Sequence, residues 1–290
     1  MQPQPQTVSK QLIQGLAVLS ADERHNTFIL RRYKKQAENL RTVDPFFGYI
    51  VLGMIATLEK DIPEMHRQYR RAMKLNPGNP TVYHNYAISL SKFGFYADYI
   101  VYAQKEYDIN RGDVPTLEFL IDANLIGAHI EEAYHLLNEW NKLCPGRVNP
   151  VAEGIESALN ILSAHGMTQH ELLHVQHIAV SVLQKRNMYI HFTHFQVKHH
   201  EEKEWLHYVY ELDDVSLEEH IALENELDKA LQDIAPNVKD AVAIEYAIEE
   251  PQLDDFLEYM ETSLERHPEN IVEPDIDQLN RIAKLIGAEA

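Results

Sequence analysis

Cysteine occurs once in the 290 residues, at Cys144, so the chain has no internal disulfide framework, and a lone thiol fits a reducing compartment. Long apolar runs are missing too: the longest, Phe46 to Leu58, falls well short of the roughly 20 residues a membrane-spanning helix needs. The N-terminal MQPQPQTVSK lacks the charged and apolar regions of a secretory signal, and together these gaps lead to the expectation of a cytoplasmic protein without a membrane. Nor is there a phosphate-cradling glycine loop, a nucleophile elbow or a cysteine-based site, so no cofactor is expected. Carboxylates are abundant, but no spacing singles out a catalytic pair.

Basic residues are scarce where the chain ends. Residues 201–290 hold 6 Lys/Arg against 26 Asp/Glu, whereas residues 1–79 hold 12 against 7, with Arg31, Arg32, Lys34, Lys35 and Arg41 clustered. With a net charge of −19, the whole-protein field repels phosphate. That disfavours nucleic acid and favours a protein partner with basic contact residues.

What is present is a period. Proline recurs at 45, 80, 115 and 150, and Asp44, Asn79, Asp113 and Asn149 stand one or two residues before it. Proline in the first helical turn lacks only an amide hydrogen that would have no partner, and a short polar residue ahead of it caps the helix. Helices starting at a fixed interval of about 35 residues imply stacked supersecondary units. Ahead of them, Leu12, Ile13, Leu16 and Leu19 mark a helix near 8–19, and a capping box of Ser20 and Glu23 predicts a second from Ser20 to about Leu40.

From Phe46 the residues resemble the tetratricopeptide repeat, a helix–turn–helix unit of about 34 residues. Residues 46–79 supply Tyr49, Leu52, Gly53, Ala56, Tyr69, Ala72 and Pro77; residues 80–113 supply Tyr83, Tyr86, Ala87, Leu90, Gly94 and Tyr96; residues 114–147 supply Leu117, Leu120, Ile130, Ala133, Leu137 and Pro145. Met65 and Tyr99 replace an expected small residue, Glu106 and Trp140 replace a later alanine, and Arg111 stands where a proline would. A closing helix pair is predicted at 150–186, giving a helical domain over 1–187 with a cap at 8–44.

Beyond Asn187 the pattern changes. Aromatic and β-branched residues predict strands at Met188 to Val197 and Trp205 to Leu212, with a turn at Lys198 to Glu204. A helix capped by Ser216 is expected to reach about Ile234, followed by a period-two strand from Ala241 to Ile248 and helices near 253–266 and 276–286. The expected fold is therefore mostly α: a tetratricopeptide-like α-solenoid followed by a small acidic α+β domain over 188–290, its helices covering one face of an antiparallel sheet.

The resemblance implies a groove lined by the first helix of each pair. Carried onto this chain it names Phe47, Ile50, Met54 and Thr57, then His84, Ile88, Ser91 and Lys92, then Glu118, Asp122 and Leu125. Relatives that clamp chaperone C-termini use a lysine and asparagine cluster there, of which only Lys92 is present. An apolar floor grading into acid suits an amphipathic or extended segment with basic residues.

The sharpest catalytic candidate is His170-Glu171-Leu172-Leu173-His174, the H-E-x-x-H form in which two histidines hold zinc and the glutamate activates water. Against it, Glu171 is positioned to cap a helix from Thr168, and the histidines share a polar stripe with His177, Ser181 and Gln184. Histidines 191, 194, 199, 200 and 207 are expected as surface and interface residues. The favoured expectation is a non-enzymatic adaptor or scaffold, with a homodimer possible. The alternatives are a regulator or inhibitor whose acidic C-terminal domain covers a basic protein surface, and a zinc hydrolase at His170, Glu171 and His174.

Overall fold

A computed structural model describes residues 5–200 and 203–248. Three leading helices, α1 (Pro5–Ala17), α2 (Ala21–His25) and α3 (Thr27–Val43), precede three hairpins: α4 (Pro45–Leu58) with α5 (Ile62–Leu75), α6 (Pro80–Ser91) with α7 (Tyr96–Ile109), and α8 (Val114–Ile126) with α9 (Ile130–Leu143). Two further helices, α10 (Ala152–Ala164) and α11 (Gln169–Lys185), lead into β1 (Ile190–His200), β2 (Lys203–Leu212), α12 (Leu217–Ala230), α13 (Pro236–Ala241) and β3 (Val242–Ile248). The helices expected near 253–266 and 276–286 lie outside the described residues.

The hairpins start where the caps dictate. Asp44, Asn79 and Asp113 each accept a backbone N–H from the first turn of α4, α6 and α8, at 3.2, 3.0 and 3.1 Å. Asn149 accepts from Val151, but Pro150 sits in a turn and α10 begins only at Ala152. The expected helix from Ser20 is divided: its capping box forms, yet Asn26 ends α2 and caps α3 by accepting from Phe28 and Ile29. A short amide side chain that bonds nearby backbone competes with the helical ladder, which is why the break falls there.

Each helix from α3 to α9 packs on the next, so the chain forms a run of paired helices in sequence order, a helical repeat. The repeat is visible in its departures. Glu106 on α7 pairs with His84 on α6 at 2.9 Å, and Trp140 on α9 donates to Glu118 on α8 at 2.9 Å, both across 22 residues. His84 and Glu118 are themselves 34 residues apart, as are Glu106 and Trp140. The same slot in the first hairpin holds Ile50 and Ala72, both fully buried. One position pair is thus filled in three chemical ways.

α11 runs across the turns of the stack instead of continuing it. Gln169 and Gln176 donate to the Ala128 and Ile126 carbonyls in and beside the α8–α9 turn, and Gln184 donates to Phe93 and Gly94 in the α6–α7 turn, 3.2 Å each. The fifteen residues between Gln169 and Gln184 span about 22 Å of helix, the width of roughly two interhelical spacings. Gly94 makes this approach possible. Its φ is +69°, and a Cβ there would lie 2.4 Å from Val180 Cγ1 of α11.

The sheet has the order β1-β2-β3, with β1 and β2 antiparallel but β2 and β3 parallel, Leu206 pairing with Val242 and Leu212 with Ile248. The antiparallel sheet expected from the sequence is therefore corrected to a mixed one. Between β2 and β3 lie α12 and α13, a connection long enough to carry the chain back to the end where β2 began. Tyr208, Tyr210 and Tyr246 fill the inward face; Tyr208 donates to the Leu125 carbonyl and Tyr246 to that of Ala179. One continuous buried cluster runs from Ile50 to Tyr246, so sheet and hairpins share a core. Among the described residues no helix is long and apolar enough to cross a membrane.

Candidate functional site

The groove side chains named by the resemblance meet three different fates. On α4, Ile50 has no exposed surface, Thr57 is buried and bonds the Gly53 carbonyl at 3.0 Å, and Phe47 and Met54 are half-buried against a cluster that includes Leu12 and Leu16 of α1. This end is packed with the protein's own helices. On α6, His84 is committed to Glu106 and lies 4.5 Å from the Phe119 ring, Ser91 bonds the Ile88 carbonyl, and Ile88 stays exposed.

Lys92, at the end of α6, serves the sheet. The chain bulges between Ile190 and Phe192, leaving the His191 carbonyl out of the ladder, and the Lys92 ammonium donates to it. The Lys92 carbonyl in turn accepts from Ile190 N–H at 2.8 Å, and its Nζ lies 5.0 Å from the Phe192 ring centroid. Burial, and then the Arg24 guanidinium, lower the Lys92 ammonium to about 8.

Of the α8 residues, Glu118 is taken up by Trp140, whereas Asp122 and Leu125 face an opening. Asp122, Leu125 and Ile126 form one wall of a cleft of about 390 Å³, Pro150, Val151 and Gly154 a second, and Thr193 to Val197 of β1 the third. Among the described residues β1 is the outermost strand: its inner edge pairs with β2, and its outer edge borders the cleft. Tyr96 fixes the strand by a 2.7 Å hydroxyl contact with Thr193. Leu125 is buried in the floor, whereas Asp122 is exposed on the wall. Although the residue as a whole is exposed, partial burial of its carboxyl, and then the negative charge of Glu118, push it up to about 6. The arrangement offers apolar floor, unpaired strand edge and acid within one opening.

The contribution of β1 was hidden in the sequence, because nothing local says that a strand near residue 195 returns to a helix near residue 125. Only its aromatic and β-branched residues marked it as a strand.

His170, His174 and His177 lie on the exposed face of α11, with Leu172, Val175, Ala179 and Val182 buried opposite. Glu171 is occupied as the capping partner: it accepts from the Thr168 N–H and hydroxyl at 2.7 Å each, and these bonds hold its carboxyl below the usual carboxylate range. Gln184, expected on the same solvated stripe, instead faces the α6–α7 turn. The strand histidines are dispersed onto separate carboxylates: His194 on Glu211, His199 on Glu204 and His207 on Glu245, at 2.7 to 2.9 Å. Among the described residues no three His, Cys, Asp or Glu side chains come together in a way that could hold a metal ion.

Comparison with known proteins gives no relative: no family model, no curated protein and no solved structure matches the chain.

Proposed function

We propose that this chain is a non-enzymatic adaptor, in which tetratricopeptide-like hairpins and the sheet together hold an extended segment of a protein partner. The observation that carries the reading is the cleft between α8, the approach to α10 and the outer edge of β1. An edge strand presents unpaired N–H and C=O groups, so an incoming extended segment gains main-chain hydrogen bonds there, and alternate side chains enter the pocket beside it. Leu125, Ile126 and Val151 suit apolar side chains, and a basic residue meets Asp122, beside which Glu118 adds negative charge. Ionic contact with a cation also relieves the mutual repulsion of these two carboxylates.

A photo-crosslinking residue placed at exposed Gln196 tests the reading, with exposed Asn138 on α9 as the control position. Crosslinks from position 196 should land on one partner segment that contains Lys or Arg, and Asp122→Lys should abolish them. Equal labelling from both positions, or labelling indifferent to Asp122→Lys, removes the cleft as the partner site. Because Asp122 loses its charge below about pH 6, crosslinking should also weaken between about pH 7 and about pH 5.

A further inference from the structure

A second surface lies on α5. Its buried face carries Met65, Gln68, Tyr69 and Ala72, and the opposite face carries Arg67, Arg70, Arg71 and Lys74. Together with Pro63 these four cations line a shallow depression of about 370 Å³. Arg41 of α3 extends the patch, since Arg41 and Arg71 both lie against the Tyr49 ring, 5.9 and 5.6 Å from its centroid.

Most of these charges lack a direct ion pair. Arg67 is paired with Glu64, but among the described residues no carboxylate forms an ion pair with Arg41, Arg70, Arg71 or Lys74. Along α5 the spacing sets Arg67 beside Arg70 and Arg71, and Lys74 beside both of the latter, at i,i+3 and i,i+4. Like charges at those separations repel on a helix surface and weaken it. A protein with a net charge of −19 therefore concentrates exposed, mutually repelling cations on one helix.

We propose that this face of α5 is a docking site for an acidic helical segment of a protein partner. Arg67 to Lys74 spans two helical turns, about 10 Å, which matches carboxylates placed one turn apart on a facing helix. Guanidinium forks favour bidentate carboxylate contacts, and three of the four cations are arginine. A nucleic acid fits less well. The strip covers only a couple of phosphates, the remainder of the molecule repels a polyanion, and Tyr49 already has two guanidiniums against its ring and offers no stacking platform. The site is separate from the β1 cleft and stands or falls independently of it.

The test is fluorescence anisotropy of the full chain with a fluorescein-labelled helical peptide carrying glutamates at i, i+4 and i+8. The expected result is saturable binding that weakens by about tenfold or more when salt is raised from about 50 to about 300 mM, or when Arg70→Glu and Arg71→Glu are introduced together. The same peptide with glutamine in place of glutamate should not bind. Both arginines are exposed, so circular dichroism of the double variant should match the parent; Lys74→Glu alone serves as the milder variant should it not. No binding by the glutamate peptide, or binding indifferent to these substitutions, overturns the proposal. So does a labelled single-stranded RNA 12-mer that binds the same residues more tightly than the peptide.

Discussion

Asp122 is the residue whose environment most directly links stability to the cleft. Its carboxyl titrates near 6 in the folded chain against 3.8 when unfolded, so between these values the folded state holds the extra proton. Stability therefore falls as pH rises from about 4 through about 6, and Asp122→Asn should flatten that slope, measured by urea unfolding at several pH values. Trp140 is the opposite kind of residue, fully buried with its indole N–H on Glu118; Trp140→Ala should cost about 3–5 kcal/mol in the same assay. At this scale the caps were legible, because Asp44, Asn79 and Asp113 act on backbone two or three positions away. Glu106 and Trp140 were legible only as departures from a pattern. Their partners lie 22 residues back on the facing helix, and only the packed hairpin brings them together.

Helices and strands were easier to read from the chain than their directions. Periodicity and punctuation located the hairpin helices, since an apolar stripe and a capped start are properties of neighbouring residues. The path of α11 across the hairpin turns was not legible. Its glutamines at 169, 176 and 184 look like surface residues until the turn carbonyls they satisfy are placed beside them. Gln176→Ala should therefore destabilise by about 1–3 kcal/mol, because the Ile126 carbonyl loses its donor beneath a buried helix face. Gly94→Ala should be at least as harmful, combining a left-handed backbone with a clash into Val180; a lowered thermal midpoint for both variants checks the element's role. The parallel pairing of β3 was equally out of reach, since alternation reports which face is buried but not which way the strand runs.

For the whole molecule, the consequential contacts join segments far apart in the chain. Arg24 of α2 bonds Asp213, just past β2, at 2.9 Å with both side chains nearly buried, while His25 reaches Asp213 and Lys60 reaches Asp214 at 3.3 and 3.8 Å. Burial works against the Asp213 carboxylate, but hydrogen bonds from Arg24 and His25 outweigh it and hold its pKa below the usual value. A depressed carboxylate stabilises fully above its unfolded pKa of 3.8, and that stability is lost as pH falls through the lower folded value. Asp213→Ala should thus cost about 3 kcal/mol at neutral pH by stranding a buried guanidinium, with the difference from the parent shrinking below about pH 4. Acid unfolding followed by tryptophan fluorescence measures it. The sequence by itself determined the helical period, the caps, the change to strands after Asn187 and the uneven charge, because each depends on residue type and on spacing within a few turns. Only the tertiary structure decided that α1 packs against Phe47 and Met54 of α4, that Lys92 clamps a bulge in β1, and that the strand edge and α8 enclose a cleft beside Asp122. Those outcomes depend on which buried surfaces meet across a hundred residues of chain, and no local pattern records that choice.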